Sequence, residues 1–209
     1  MFLLVDKPKG MTSHDVVDAV RKKTGQRRVG HGGTLDPNAT GLLIVGVGRE
    51  QTKQLSQFNT QKNKVYEAEI VLGQQRDTDD IEGKIMKKNN TKPSLDQIKF
   101  VLEKFQGEIE QTPPAHSAIK IKGKKAYELA RAGKNVKLKP RKVLIKNIKI
   151  MSYTYPHLQI EFEVGSGTYI RALARDIGRE LGTYAYLANL RRTQVGDFKV
   201  EDAKKIEEI

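Results

Sequence analysis

The sequence contains no cysteine among its 209 residues. That absence removes disulfide frameworks, thiolate zinc sites, iron–sulfur clusters and cysteine nucleophiles together. Long apolar runs are equally scarce. The longest, from Gly41 to Gly48, falls far short of the roughly 18 residues that a membrane helix requires. The apolar start Phe2–Val5 stops at Asp6 and Lys7, which is not a signal-peptide pattern. No repeat, low-complexity tract or long linker divides the chain. At roughly 150 residues per domain, the length predicts a single domain over residues 1–209. Such a domain buries a sizeable core without covalent or metal staples.

Acidic residues are also in short supply. Lys and Arg total 38 against 25 Asp and Glu, a formal charge of +13. Residues 116–150 hold 12 basic residues and one acid, Glu128, while the remaining 174 residues hold 26 basic and 24 acidic groups. The chain is therefore nearly neutral apart from one strongly basic segment. Such a segment expects a polyanion, with nucleic acid first and an anionic membrane surface second.

Several familiar chemistries are missing. Gly165-Ser166-Gly167 lacks the third glycine of a dinucleotide fingerprint, because Ile170 stands there. No Gly-Lys is followed by Ser or Thr, so there is no phosphate-binding P-loop. His14, His31, His116 and His157 are far apart and lack ligand spacing, so no metal site is predicted. The zinc deaminase pattern needs cysteines and falls away with them.

What is present reads as an irregular mixture of strands and helices, α+β rather than doubly wound. Phe2–Val5 is a buried strand. Thr12 or Ser13 caps a helix to about Lys23, with Val16, Val17 and Val20 inward and Gly25 as the stop. Residues 26–41 form a glycine-rich loop, followed by a buried strand, Leu42–Val47, and a short helix, Arg49–Phe58. Lys64–Leu72 alternates with period two, placing Tyr66, Ala68, Ile70 and Leu72 on one face. Asp77–Gly83 is an acidic turn before a strand at Lys84–Lys88. Ser94 to Gln97 is a capping box, opening a helix that ends at Gly107. A short helix spans Lys124–Ala132. Arg141–Tyr153 and His157–Val164 pair around Tyr155-Pro156. Thr168 opens a helix with Ile170, Leu173, Ala174, Ile177 and Leu181 inward. A last strand and the start of a helix finish the chain.

The most informative stretch is Gly30-His31-Gly32-Gly33-Thr34-Leu35-Asp36-Pro37-Asn38-Ala39-Thr40-Gly41. Its four glycines permit backbone bends and close approach of a ligand. Pro37 pushes Asp36 out of the αR region and holds its carboxylate in an extended or turn geometry. A turn with glycine bends accounts for the same residues. A carboxylate presented on an ordered loop also suits nucleophilic chemistry.

These residues, with Asp36 at the centre, resemble the signature of the bacterial tRNA pseudouridine-55 synthase (TruB) family. The resemblance continues at six further places. Leu4-Val5-Asp6-Lys7-Pro8 with Gly10-Met11-Thr12-Ser13 is similar to that family's N-terminal motif. Lys64-Val65-Tyr66-Glu67-Ala68 is similar to its tyrosine strand, and Asp77-Thr78-Asp79-Asp80 with Gly83 to its acidic turn. Gln111-Thr112-Pro113-Pro114, Ser117-Ala118-Ile119-Lys120 and Gly123-Lys124-Lys125-Ala126-Tyr127 resemble its insert. Gly167-Thr168-Tyr169-Ile170-Arg171 and Leu190-Arg191-Arg192-Thr193 complete the set.

The resemblance implies a pseudouridine synthase fold, a mixed and mostly antiparallel sheet flanked by helices, with a basic thumb-like insert at about 116–145. It implies an isomerase that detaches uracil from ribose at nitrogen, rotates it and rejoins it through carbon 5. No atom enters or leaves, so no cofactor is expected. Asp36 takes the nucleophile's place, with two roles open to it: attack on the sugar, or assistance to proton removal there. Arg171 is the expected charge partner of Asp36, although its place off the apolar stripe also suits a surface residue. Tyr66 can stack on the uracil and reach a proton that must be lost, and it can equally be a core tyrosine. His31 and Leu190 match positions near the flipped nucleotide, and Asp80 and Tyr169 positions that support the site. Lys120, Lys122 and Lys124 lie in the insert that would clamp the RNA through phosphates. The expected partner is the T-arm of tRNA, without a guide RNA or a membrane, for a cytoplasmic monomer. The family's C-terminal PUA domain is not matched by any part of the chain. Two other readings remain at this level: a guide-dependent synthase acting on ribosomal RNA, and a non-catalytic RNA-binding protein on the same scaffold.

Overall fold

A computed structural model describes the whole chain except Gln61, Lys122 and Asn135, and excepting the side chain of Arg131. In chain order the elements are β1 (Phe2–Lys7), α1 (Ser13–Thr24), β2 (Val29–His31), β3 (Thr40–Val47), α2 (Arg49–Thr60) and β4 (Lys64–Leu72). Then come β5 (Gln74–Arg76), β6 (Ile85–Lys88), α3 (Leu95–Glu103), β7 (Gly107–Gln111), β8 (Lys120–Ile121), β9 (Lys124–Lys125) and α4 (Ala126–Arg131). β10 (Arg141–Thr154), β11 (His157–Val164), α5 (Ile170–Glu180), β12 (Ala185–Val195), β13 (Phe198–Lys199) and two 3₁₀ turns follow. The main sheet has the hydrogen-bonded order β1-β3-β12-β4-β11-β10-β7, with β2 also on β3 and β13 on β12. It is mixed: β1 and β2 run antiparallel to β3, and β12 runs parallel to it. No helix among the described residues is long and apolar enough to cross a membrane.

The chain divides into two compact units. The first comprises Met1–Ala68, Glu161–Gly167 and Asn189–Ile209; the second comprises Glu69–Ile160 and Thr168–Ala188. In the first, β3 is buried on both faces, which is why its sequence is a continuous apolar run rather than an alternation. Leu43, Val45 and Val47 pack against Val16, Val17 and Val20 of α1. Leu42 and Ile44 pack on the other side with Leu55 and Phe58 of α2. Burying each of these side chains contributes about 1.5–3 kcal/mol. Thr12 is the cap of α1, in a reciprocal box with Asp15, and Gly25 ends the helix in the left-handed conformation at φ 67. That releases Ser13 for another use.

The second unit holds β7 paired antiparallel with β10, the small hairpins β5–β6 and β8–β9, and helices α3, α4 and α5. The Ser94–Gln97 capping box opens α3 as its sequence predicts. Several expectations shift. The loop 26–41 contains a short strand, β2, stitched to the inner edge of β3. Gly107 begins a strand instead of merely ending a helix. Lys124 and Lys125 form an edge strand, so α4 starts at Ala126. The chain closes with two strands and 3₁₀ turns, not with a helix.

Candidate active site

In the first unit Leu35 is buried and Asp36 is exposed. The alternation is enforced by hydrogen bonds on both sides of the acid. Ser13 Oγ accepts from the Leu35 amide at 2.9 Å and donates to the Leu35 carbonyl at 3.1 Å. One hydroxyl thus satisfies both peptide groups of the residue before Asp36. Beyond it, the Pro37 carbonyl accepts from the Gly10 amide at 2.9 Å and from Lys7 Nζ at 3.1 Å. The Asp36 carbonyl accepts from the Ala39 amide at 3.0 Å, closing the turn. Gly41 must be glycine, because at φ 99 a Cβ would overlap the backbone of Arg192 on the neighbouring strand.

Three buried cations line this unit, a feature that sequence reasoning missed. Lys7 is fully buried and its Nζ also donates to the Pro8 and Met11 carbonyls. Burial pushes its ammonium down to about 8; Asp36 and Asp15 pull it back up, and Arg192 depresses it further. Arg192 is 1% exposed and donates to the carbonyls of Leu42 and Gly33. Lys64 binds the carbonyls of Asn59 and Lys62 and the Ser166 hydroxyl, and burial brings it too to about 8. Each cation gathers backbone carbonyls, the device that makes a buried charge tolerable. Two of them brace the segment that carries Asp36.

The remaining expected residues of this unit fall as follows. Tyr66 is buried on the apolar face of β4, as its period-two pattern predicts. Leu190 is half-buried, beside Arg191, which pairs in register with Thr40 at the start of β3. His31 is half-buried at the end of β2. Burial, then the charges of Arg192 and His14, lower its pKa, so it is neutral at pH 7.

In the second unit Arg171 occupies the first turn of α5 and is 7% exposed. Its place off the apolar stripe suits a surface residue by pattern; the structure buries it because polar partners await it. Nη1 donates to the Thr78 carbonyl and to Asp80 Oδ2, both at 3.3 Å, and Nη2 to the His116 carbonyl at 2.9 Å. Asp80 is held in turn by the Thr78 hydroxyl at 2.6 Å and the Glu82 amide at 3.1 Å. One turn along, Arg175 binds Asp79 at 2.9 Å and the Thr112 carbonyl at 2.8 Å. Asp79 has φ 62, a left-handed residue other than glycine, and burial raises its pKa against the pull of Arg175. Two Arg–Asp pairs thus fasten the acidic turn to α5. Asp79 and Arg175 carried no signal beyond their presence in the quoted motifs or next to them.

Tyr169 caps α5 without a side-chain capping bond. Lys120 and Lys124 are exposed on the β8–β9 hairpin; Lys122 lies outside the described residues. The segment 116–150 is short of acids in sequence, yet Lys142 finds Glu108 on β7 at 2.8 Å, which raises its pKa. Part of the basic excess is therefore compensated from outside the segment. Among the described residues no cluster of three His, Asp or Glu suits a metal ion.

Comparison with known proteins gives the family of the chain. Residues 21–170 match the model of the TruB family pseudouridylate synthase (N terminal domain), and residues 171–209 that of the tRNA pseudouridylate synthase B C-terminal domain. The chain is 45% identical to tRNA pseudouridine synthase B of Aquifex aeolicus over 208 residues, covering 99% of this chain and 72% of that protein. It is 46% identical to the protein of the same name from Protochlamydia amoebophila, covering 96% and 76%. Among solved structures, a chain of a Cbf5-Nop10-Gar1 complex is 30% identical with a TM-score of 0.77, covering 99% of this chain and 52% of that one. The mixed sheet with flanking helices is the pseudouridine synthase fold, and the chain belongs to the TruB family of pseudouridylate synthases, an isomerase family.

Proposed function

We propose that the protein converts the T-arm uridine of tRNA, position 55, into pseudouridine, with Asp36 as its nucleophile. The observation that carries this reading is Asp36 itself. It is an exposed carboxylate on a segment pinned at Leu35 and Pro37, in a chain of this family. A nucleophile needs a fixed direction of attack, and pinning both neighbouring residues supplies it before substrate arrives.

The reaction breaks the bond from ribose carbon 1′ to nitrogen 1 of uracil, rotates the base, and forms a bond to its carbon 5. The proton of carbon 5 is lost and nitrogen 1 gains one. Arg171 supplies a fixed positive charge to the reaction; its guanidinium is already held on two carbonyls and Asp80. Tyr66 serves the uracil face and the departing proton. His31, neutral at working pH, contacts the opened RNA, and Leu190 walls the base pocket. Asp80 and Tyr169 support Arg171. The target base leaves its stack at a cost of a few kcal/mol. Lys120 and Lys124, with Lys122, contact phosphates, positioning the arm without reading its sequence.

Residues 1–209 act as one catalytic domain in a cytoplasmic monomer. Curated relatives near 45% identity are named for tRNA, whereas the chains of the Cbf5-Nop10-Gar1 complex and of the H/ACA RNP bound to a substrate RNA stand at 30% and 27%, which favours tRNA as the substrate. The test is incubation with an unmodified tRNA transcript, followed by carbodiimide treatment and primer extension. A stop at the T-arm uridine is expected. Absence of any stop there, with binding intact, refutes the enzymatic reading and leaves an RNA-binding protein.

A further inference from the structure

A helix begins with four amide groups that lack partners, and its cap residue usually supplies a side-chain oxygen for one of them. At the start of α5 the cap is Tyr169, which makes no such bond. The deficiency is met from β7. Gln111 is fully buried, and its amide grips both peptide groups of the cap residue. The Tyr169 N–H donates to Gln111 Oε1 at 2.9 Å, and Gln111 Nε2 donates to the Tyr169 carbonyl at 3.1 Å. That carbonyl also accepts the first helical bond, from the Leu173 amide at 3.1 Å.

A second contact reaches the same residue from the neighbouring strand. Arg141, the first residue of β10, pairs in register with Gln111, the last of β7. Its guanidinium lies 5.0 Å over the Tyr169 ring, within range of a cation–π contact. The segment 112–140, which carries the exposed lysines, thus leaves the sheet at Gln111 and returns at Arg141. Both of its roots hold Tyr169, two residues before Arg171.

We propose that Gln111 is a positioning residue for Arg171: it fixes the first turn of α5 through the peptide groups of Tyr169, and so sets the direction of the guanidinium. The assignment rests on the catalytic role given above to Arg171. Gln111 does not contact substrate. Its removal should leave tRNA affinity nearly unchanged and slow the chemical step.

The experiment compares Gln111→Met, Arg171→Lys and the double variant in the full chain. Single-turnover release of tritium from tRNA carrying 5-tritiated uridine is read beside tRNA affinity by filter binding. In Gln111→Met the rate should fall at least about tenfold, as small displacements of a catalytic group do, with Kd within threefold of wild type. In the double variant Gln111→Met should add little to the loss from Arg171→Lys, since both act through one guanidinium. Losses that simply multiply, or an equal weakening of Kd, overturn the proposal and leave the role of Arg171 intact. Loss in Arg171→Lys with none in Gln111→Met overturns it likewise. Wild-type rates in both single variants overturn the role of Arg171 and the proposal with it.

Gln111→Glu keeps the test decisive if Gln111→Met does not fold. The new carboxyl still accepts from the Tyr169 N–H, but it must hold a proton to donate to the carbonyl. Burial favours the protonated form. Its rate relative to wild type should therefore be restored as pH falls from 8 to 6, whereas a rate that stays depressed at pH 6 contradicts the clamp.

Discussion

Replacing Ser13 by alanine removes one oxygen and leaves two buried backbone groups without partners. The Leu35 amide and carbonyl both lose their bonds to the Ser13 hydroxyl, in a place where Leu35 is 3% and Ser13 2% exposed. An unmet buried polar group costs about 1–3 kcal/mol, so the pair costs about 2–4 kcal/mol once partial relaxation is allowed. At roughly 2–4 °C per kcal/mol for a chain of this size, the melting temperature should fall by roughly 5–15 °C. The more telling effect is on rate. Asp36 follows Leu35 directly, and a displacement of about 1 Å at a catalytic group costs on the order of a hundredfold. Calorimetry and single-turnover tritium release measure the two effects. Thr12→Ala is the control: it removes the true cap of α1, at about 1 kcal/mol, and should spare the rate. A Ser13→Ala protein with unchanged melting temperature and a rate within twofold of wild type refutes the view that this hydroxyl holds the Asp36 segment.

Two further outcomes are expected. Lys7 has a pKa near 8 in the folded chain and 10.5 in the unfolded one, so between those values the unfolded chain binds more protons and stability rises with pH. Lys7→Met lacks this term; in urea titrations from pH 8 to 10 wild type should gain on it by at most about 1.4 kcal/mol per pH unit, and parallel curves exclude the buried, strained ammonium. Neutralising Lys120 and Lys124 should make the salt dependence of tRNA binding shallower by about 1.4–1.8 in log–log slope, if each holds one phosphate; an unchanged slope removes the hairpin from the RNA contact.

What the sequence disclosed and what it hid differ in kind. The double-sided burial of β3, the alternation of β4, the stop of α1 at Gly25 and the capping box of α3 are local, periodic or short-range signals, and each was legible. Asp36 was legible because glycine, proline and aspartate constrain backbone in ways that sequence displays. Short strands such as β5, β8 and β9 were not, because two or three residues at a sheet edge carry no period. The residues that hold the site were hidden for another reason. Ser13, Lys7, Gln111, Arg175 and Arg192 are polar side chains that bind backbone carbonyls or amides brought close only by folding. Composition suggests that such residues belong on the surface. Lys7 and Arg192 are instead among the most deeply buried side chains of the chain. Arg171 misled the pattern in the same way, since its partners Thr78, Asp80 and His116 lie about 55 to 93 positions away in sequence.

The central claim is that the Asp36 carboxylate performs the isomerisation, and Asp36→Asn tests it most directly. The substitution keeps size and shape and removes only the charge and nucleophilicity of one side chain. In single-turnover assays on the unmodified transcript the account predicts a loss of at least about a thousandfold, with tRNA affinity and melting temperature close to wild type. An Asp36→Asn protein that forms pseudouridine at the wild-type rate contradicts it.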